Sequence, residues 1–180
     1  MSVSLPTTLA GCVLRPWRPA DKPDLLRHAD NRRVWRNMTH TFPHPYTSRD
    51  ADAWLAVAVR LGASIHLAIA VDGEAVGGIG AIAGEGIHVR TAQFGYWLGE
   101  AFWGRGIATA AATALASRIG SERLFARLEA QVFAWNPASM RVLEKAGFER
   151  EALLRSAATK DGELIDTVLY ARVFPEAGPS

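Results

Sequence analysis

Hydrophobic positions along this chain switch between two spacings, and the switches mark out its elements. Residues 12–18 (Cys-Val-Leu-Arg-Pro-Trp-Arg) read as a first strand. Pro19-Ala20-Asp21 then opens a short helix, with Asp21 as its cap and Leu25 and Leu26 on its inner side. Residues 31–47 carry Trp35, Phe42, Tyr46 and two prolines, an irregular loop that is too apolar for a plain connector. Ser48 or Asp50 is placed to cap a helix running to about Leu61, in which Trp54, Leu55, Ala58 and Val59 recur at helical spacing. Strands from Ile65 to Val71 and from Glu74 to Ala81 flank Asp72-Gly73, a two-residue hairpin signal. The glycine-rich segment 82–90 reads as a loop. From Gln93 to Leu98 the period is two, with Phe94, Tyr96 and Leu98 on one face and Gln93, Gly95 and Trp97 on the other. Ile107, Ala111, Leu115 and Ile119 form one stripe of a helix over about 105–119. A strand near 125–133, a helix at 136–146 and strands near 148–155 and 163–173, joined at Asp161-Gly162, complete the chain.

The resulting order is β, α, α, β, β, β, α, β, α, β, β. Early hairpins beside later β-α-β segments imply an α/β fold of mixed α+β character, with one mixed sheet flanked by helices. No internal repeat or long linker interrupts the 180 residues, so one domain over 1–180 is expected. A net charge of +2 is too mild to imply nucleic acid, although it tolerates an anionic ligand. No apolar run approaches the ~20 residues of a membrane span. Leu9-Ala10-Gly11-Cys12 looks like a lipoprotein cleavage site, but Met1 to Thr8 has neither a basic start nor a continuous apolar stretch. Cys12 therefore reads as a small buried residue at a strand start. As the single cysteine it excludes an internal disulfide and suits a reducing compartment, so a cytoplasmic protein is expected. His40 and His44 stand four apart with Pro43 between them, which argues against a metal-binding helix; no metal site is expected.

Two stretches carry chemistry. Trp103-Gly104-Arg105-Gly106-Ile107-Ala108-Thr109 lies just after a strand and just before a helix. The first turn of a helix leaves N–H groups unpaired, and glycines let an anion approach them closely. The same turn also reads as a tight connection that merely needs glycine. Gly78-Ile79-Gly80-Ala81-Ile82-Ala83 matches a dinucleotide-binding pattern, but Gly84-Glu85-Gly86 follows instead of a helix, so it reads as a glycine-rich strand and loop. The second stretch runs from Asn136 to Phe148. Asn136 is a good N-cap, Pro137 suits the first helical position and Gly147 ends the helix left-handed. A capping asparagine uses only its side-chain oxygen, which leaves two N–H donors for a ligand. Ser139, one turn on, adds a hydroxyl.

Phe94-Gly95-Tyr96-Trp97-Leu98, the turn Trp103 to Thr109, and Asn136-Pro137-Ala138-Ser139 through Leu143-Glu144-Lys145-Ala146-Gly147-Phe148 together resemble the GNAT superfamily of N-acetyltransferases. The branch they are most similar to is RimJ/RimL, the N-terminal acetyltransferases of ribosomal proteins, over about residues 12–173. The resemblance implies a splayed mixed sheet of about seven strands with about four helices. It implies acetyl-CoA as acyl donor, with direct transfer to a primary amine: a protein N-terminal α-amine or a small molecule. By that similarity the main chain at Trp97 and Leu98 holds pantetheine. Trp103, Gly104, Arg105, Gly106, Ile107, Ala108 and Thr109 hold the pyrophosphate, and Asn136 and Ser139 face the sulfur. Arg141 and Lys145, on the helix of the second stretch, read either as exposed helix charges or as partners of the cofactor's 3′-phosphate. The segment after the first strand walls the acceptor side in this superfamily, which nominates Trp35, Asn37, His40, Phe42 and Tyr46.

The departures are informative. The tyrosine often proposed as general acid falls at Leu143, and Ser139 substitutes for it as the catalytic hydroxyl. A glutamate common in relatives falls at Gln93, and the RimL-like glutamate aligns with Ala158. For the base, Glu85, His88, His40 and His44 are candidates by residue type alone. These losses motivate a second reading, an acyl-CoA-binding module with little catalysis. The superfamily often forms dimers, so a homodimer is a further expectation.

Overall fold

Two tight hairpins organise the two halves of the sheet. In the computed structural model, which describes residues 4–59 and 62–175, Asp72 and Gly73 both have positive φ (50° and 93°), as do Asp161 and Gly162 (52° and 78°). Left-handed backbone at both central positions matches the twist of the flanking strands. Strand β3 (Ile65–Val71) therefore folds directly onto β4 (Glu74–Ala83), and β7 (Glu149–Lys160) onto β8 (Glu163–Val173). The other strands are β1 (Leu5–Pro6), β2 (Cys12–Pro16), β5 (Thr91–Leu98) and β6 (Arg127–Phe133). All eight form one sheet in the order β1-β2-β3-β4-β5-β6-β8-β7. Neighbours are antiparallel except β5 and β6. The strand beyond the expected seven is β1, whose two residues are too few to show a period. Cys12 begins β2 and is buried, 3% exposed.

Among the described residues five α-helices flank the sheet where about four were expected: α1 (Lys22–Ala29), α2 (Arg32–Trp35), α3 (Ser48–Ala58), α4 (Ile107–Ser121) and α5 (Pro137–Lys145). The extra one, α2, is a single turn inside the segment read as a loop. Asn31 makes it by accepting from the N–H groups of Arg33 and Val34 at 2.8 and 3.2 Å. Helix α3 starts one residue earlier than anticipated. Thr47, not Ser48 or Asp50, is its N-cap, and Asp50 closes a capping box by accepting from the Thr47 N–H at 2.8 Å. The helix ends at Ala58, and Leu61 lies outside the described residues. Asp21 stands at the N-cap of α1 but makes no side-chain cap. Its Oδ2 accepts from the Arg18 N–H at 2.8 Å, at the start of the 3-10 turn Pro19–Asp21, and its carboxylate is buried against Arg15 in a two-pronged ion pair of 2.7 and 2.8 Å; Arg15 also donates to the Gly73 carbonyl. A helix start is thus tied to a hairpin turn, a contact that sequence spacing does not encode.

The period of two in β5 sorts its side chains between two cores. Phe94 and Leu98 pack with the α4 stripe of Ile107, Ala111, Leu115 and Ile119, and with Ile69, Ile79 and Leu128. Trp97 points the other way, to Leu25, Ala29, Val34, Leu55 and Ala58 of the first three helices. The segment Gly78–Ala83 belongs to β4, so its glycines serve the sheet.

Candidate active site

The parallel pair β5–β6 is held over only three residues of each strand, Thr91–Gln93 against Arg127–Glu129. Beyond Gln93, β5 stays with β4 as far as Leu98, while β6 follows β8 to Phe133. The two strands diverge and leave a V-shaped gap in mid-sheet. At its vertex, Gln93 donates to Glu129 at 3.1 Å, and Arg127 bonds both Glu129 and Glu151. The Gly99 N–H donates to the Val76 carbonyl at 2.8 Å, so this pair exchanges main-chain hydrogen bonds. Antiparallel alternation then turns the polar main chain of Trp97 toward β4 and that of Tyr96 and Leu98 into the gap. The Leu98 carbonyl also accepts from the indole of Trp103 at 2.7 Å, which joins the strand to the glycine turn.

One mouth of the gap opens on a cleft of about 360 Å³. It gathers Trp97, Leu98, Trp103, Gly104, Gly106, Ile107, Ala108, Thr109, Asn136 and Ser139. Gly104 and Gly106 have φ of 73° and 77°, and a Cβ at either would meet nothing within 4 Å. Glycine is needed there for backbone conformation, and the surface above it is open. Helix α4 has no side-chain cap, so its first-turn N–H groups are available to an anion. Arg105 is not in the lining; its guanidinium lies 5.3 Å from the Phe102 ring. Arg141 and Lys145 are in the lining and supply positive charge.

Helix α5 is fixed at both ends. Asn136 Oδ1 accepts from the Ser139 N–H at 3.2 Å with Pro137 at the first turn. Gly147, at φ 82°, lets the Phe148 N–H return to the Leu143 carbonyl at 3.0 Å. Phe148 then packs on Phe94 at 5.1 Å between ring centroids. This places Ser139 Oγ 2.8 Å and the Ser139 carbonyl 3.1 Å from the Tyr96 hydroxyl, whose single proton serves one or the other. Burial pushes Tyr96 up to about 12, so it stays protonated. When the tyrosine proton serves Ser139 Oγ, the serine proton is free for another acceptor. Tyr96 was absent from the sequence-based candidates. Its signal was available: a tyrosine on an inward strand face must satisfy its hydroxyl somewhere. Leu143 is fully buried.

A second cleft of about 880 Å³ opens on the other side. It shares Asn37, Met38, Tyr96, Trp97, Asn136 and Ser139 with the first, so the two clefts meet at the Tyr96–Ser139 pair. Of the residues nominated for the acceptor side, Asn37, Phe42 and Tyr46 line it. Trp35 and His40 do not. Lys160 Nζ stands 3.6 Å over the Trp35 ring and His44 packs on it at 5.6 Å, while His40 is exposed in a turn. The same lysine donates to the Met38 carbonyl at 3.0 Å, and the Trp135 indole donates to Asn37 Oδ1 at 3.2 Å. These long-range bonds make an irregular segment into a wall. None of the base candidates Glu85, His88, His40 and His44 lines either cleft, and Ala158 sits on β7 beside a break in register with β8. Gln93 does line the second cleft, as do Trp54, His66 and Gln131, which had not been singled out. Among the described residues no group of three or more His, Cys, Asp or Glu could hold a metal ion. No helix among them is long and apolar enough to cross a membrane.

The family profile described as acetyltransferase (GNAT) domain matches residues 12–149. The probable N-acetyltransferase YjcK of Bacillus subtilis (strain 168) is 38% identical over 88 residues, covering 49% of this chain and 49% of that protein. The match therefore spans about half the length of that curated relative. Mycobacterium smegmatis RimJ, solved with CoA-disulfide, superposes with a TM-score of 0.79 at 28% identity, over 96% of this chain and 86% of that one. RimL, a ribosomal L7/L12 alpha-N-protein acetyltransferase solved with coenzyme A, superposes with a TM-score of 0.83 over 96% of this chain and 98% of that one. At 22% identity this second likeness speaks for the fold. With three sequence motifs, a splayed sheet and a family profile in agreement, the chain belongs to the GNAT acetyltransferase family.

Proposed function

We propose that this chain transfers the acetyl group of acetyl-CoA directly to a primary amine, and that the acceptor is a protein N-terminal α-amine. The observation that carries the reading is the meeting of two clefts at Tyr96 and Ser139. The glycine turn and the start of α4 take the pyrophosphate, with Arg141 and Lys145 nearby for further phosphate charge. Pantetheine lies in the gap against the main chain of Leu98, and the thioester reaches Ser139. The amine arrives through the second cleft and attacks the thioester carbon, whose oxygen gains charge and is stabilised by main-chain donors at the gap. The departing thiol has a pKa near ~8.5, so a hydrogen bond from Ser139 is sufficient help, and Tyr96 holds that hydroxyl in place.

Two features support the α-amine. The second cleft offers one carboxylate, Asp50, and Thr47 hydrogen bonds hold it below the usual carboxylate range. A site without a strong base suits an amine of pKa about 7.7–8.0, of which a useful fraction is neutral, better than a lysine near ~10.4. The likeness to RimJ and RimL points the same way. The test is acetyl-CoA turnover, followed as free-thiol release, on short peptides with free and blocked N-termini and on polyamines and aminoglycosides. Turnover lost on blocking the N-terminus supports the proposal. Turnover on small amines alone removes the protein acceptor, and tight acetyl-CoA binding without turnover removes the enzyme.

A further inference from the structure

Acetyl transfer leaves a proton on the acceptor nitrogen, and the second cleft offers a destination for it. Four of its lining residues are titratable: Tyr46, Asp50, His66 and Tyr96. Burial pushes both tyrosine hydroxyls up to about 12, so neither exchanges a proton near neutrality. Asp50, on α3, spends Oδ2 on the N–H and hydroxyl of Thr47 at 2.8 and 2.6 Å. Strand β4 brings Gly78, Gly80 and Ile82 to this face and β5 brings Gln93, Gly95 and Trp97, none of them charged. His66 differs from all of these. Among the described residues its imidazole has no hydrogen-bond or ion-pair partner, and its one ring contact is edge-on to Trp54 at 5.4 Å. Burial lowers its pKa, which leaves a neutral ring with an unshared lone pair at neutral pH.

Position gives that lone pair a use. His66 on β3 is opposite Gly80 on β4, which is opposite Gly95 on β5, so the three form one row across the same sheet face. A Cβ at Gly80 would lie 3.5 Å from His66 Nδ1, whereas one at Gly95 would meet nothing within 4 Å. The imidazole therefore lies over a bare stretch of β4 and looks toward open space above the residue preceding Tyr96. Adjacent strands stand about 4.8 Å apart, so the space over Gly95 is roughly one strand spacing from the ring, room for a single bridging water. We infer that His66 accepts, through a water held over Gly95, the proton that the acceptor amine releases; this rests on the acetyltransferase reading above. The C–N bond forms, the C–S bond breaks, and the nitrogen's extra proton passes by the water to the imidazole and on to solvent. The thiolate leaves hydrogen-bonded to Ser139 and takes its proton from solvent.

The experiment measures kcat by thiol release from acidic to alkaline pH in the wild type, His66→Gln and His66→Ala, with acetyl-CoA affinity measured alongside. His66→Gln keeps a polar side chain of similar reach that cannot take up a proton. Both variants are expected to bind acetyl-CoA as the wild type does and to lose roughly 100-fold in kcat near neutrality. The fall of wild-type kcat on acidification, as His66 becomes protonated, is expected to vanish in both, and added imidazole to restore His66→Ala in proportion to its concentration. A wild-type kcat in His66→Gln overturns the inference, as does a His66→Ala deficit indifferent to imidazole. A wild type that releases no thiol with any acceptor is a different result: it overturns the acetyltransferase reading, and this inference with it.

Discussion

Replacing Gly106 with alanine separates what the glycine turn does for the fold from what it does for the ligand. Gly106 is the N-cap of α4, at φ 77°, and Gly162 in the β7–β8 hairpin is its match, at φ 78°. A Cβ at either position meets nothing within 4 Å, so the substitution adds backbone strain without a clash. Holding an L-residue left-handed costs about 1–2 kcal/mol. The reduced freedom of the unfolded chain returns about 0.4–1 kcal/mol of this. Both variants should therefore lose on the order of 1 kcal/mol of unfolding free energy in urea. Their affinities should part company. Only Gly106 lines the first cleft, and a turn that relaxes out of the left-handed region misplaces the first N–H groups of α4. Binding must restore them, which weakens acetyl-CoA by up to the same strain, about 5–30-fold. Isothermal titration calorimetry with acetyl-CoA reads the difference, with Gly162→Ala expected at wild-type affinity. Gly106→Ala binding as tightly as Gly162→Ala would refute the assignment of the pyrophosphate to this turn.

Other consequences follow from the same contacts. Ser139→Ala should lower kcat by roughly 10–100-fold while leaving acetyl-CoA affinity nearly unchanged, because it removes a hydrogen bond made chiefly to the departing sulfur; an unchanged kcat would remove the serine from the reaction. Asp21→Asn leaves Arg15 buried without its counter-charge and should cost about 3–5 kcal/mol in urea unfolding. Loss of less than about 1 kcal/mol would mean that the pair is solvated. All three tyrosines, Tyr46, Tyr96 and Tyr170, are raised above their ordinary value, the first two to about 12. Their folded pKa exceeds the unfolded one, so the stability they contribute is complete below about pH 10 and is lost as pH rises toward 12. Tyrosinate absorbance at pH 10 should accordingly stay far below that of the unfolded chain; a half-ionised signal would contradict the buried hydroxyls.

Much of this architecture is written in local patterns. The two hairpins follow from Asp-Gly pairs that tolerate left-handed backbone, and α4 and α5 from apolar periodicity closed by glycine and asparagine. The cofactor-side motifs were legible because each is a contiguous stretch whose backbone behaviour its own residues dictate. What escaped was set by contacts across the chain. Asp21 looks like a cap because it precedes a helix, yet Arg15 claims it in the folded core. Trp35 looks like part of an acceptor wall, yet Lys160, more than a hundred positions later, covers its ring. Histidines in the loops attract attention as bases because they stand among polar residues. His66 sits in an apolar strand where a bland core role is the usual expectation, and only the row it makes with Gly80 and Gly95 shows that it faces a cleft.

The central claim, that an α-amine meets acetyl-CoA where the two clefts join, is tested most directly by locating the acetyl group on a product. A peptide carrying both a free N-terminus and an internal lysine would be incubated with the protein and acetyl-CoA, then sequenced by tandem mass spectrometry. Acetyl on the N-terminal nitrogen alone, forming more slowly in Ser139→Ala in step with its lowered kcat, is the expected result. Acetyl on the lysine alone, or a peptide left unmodified while a small amine is turned over, would contradict it.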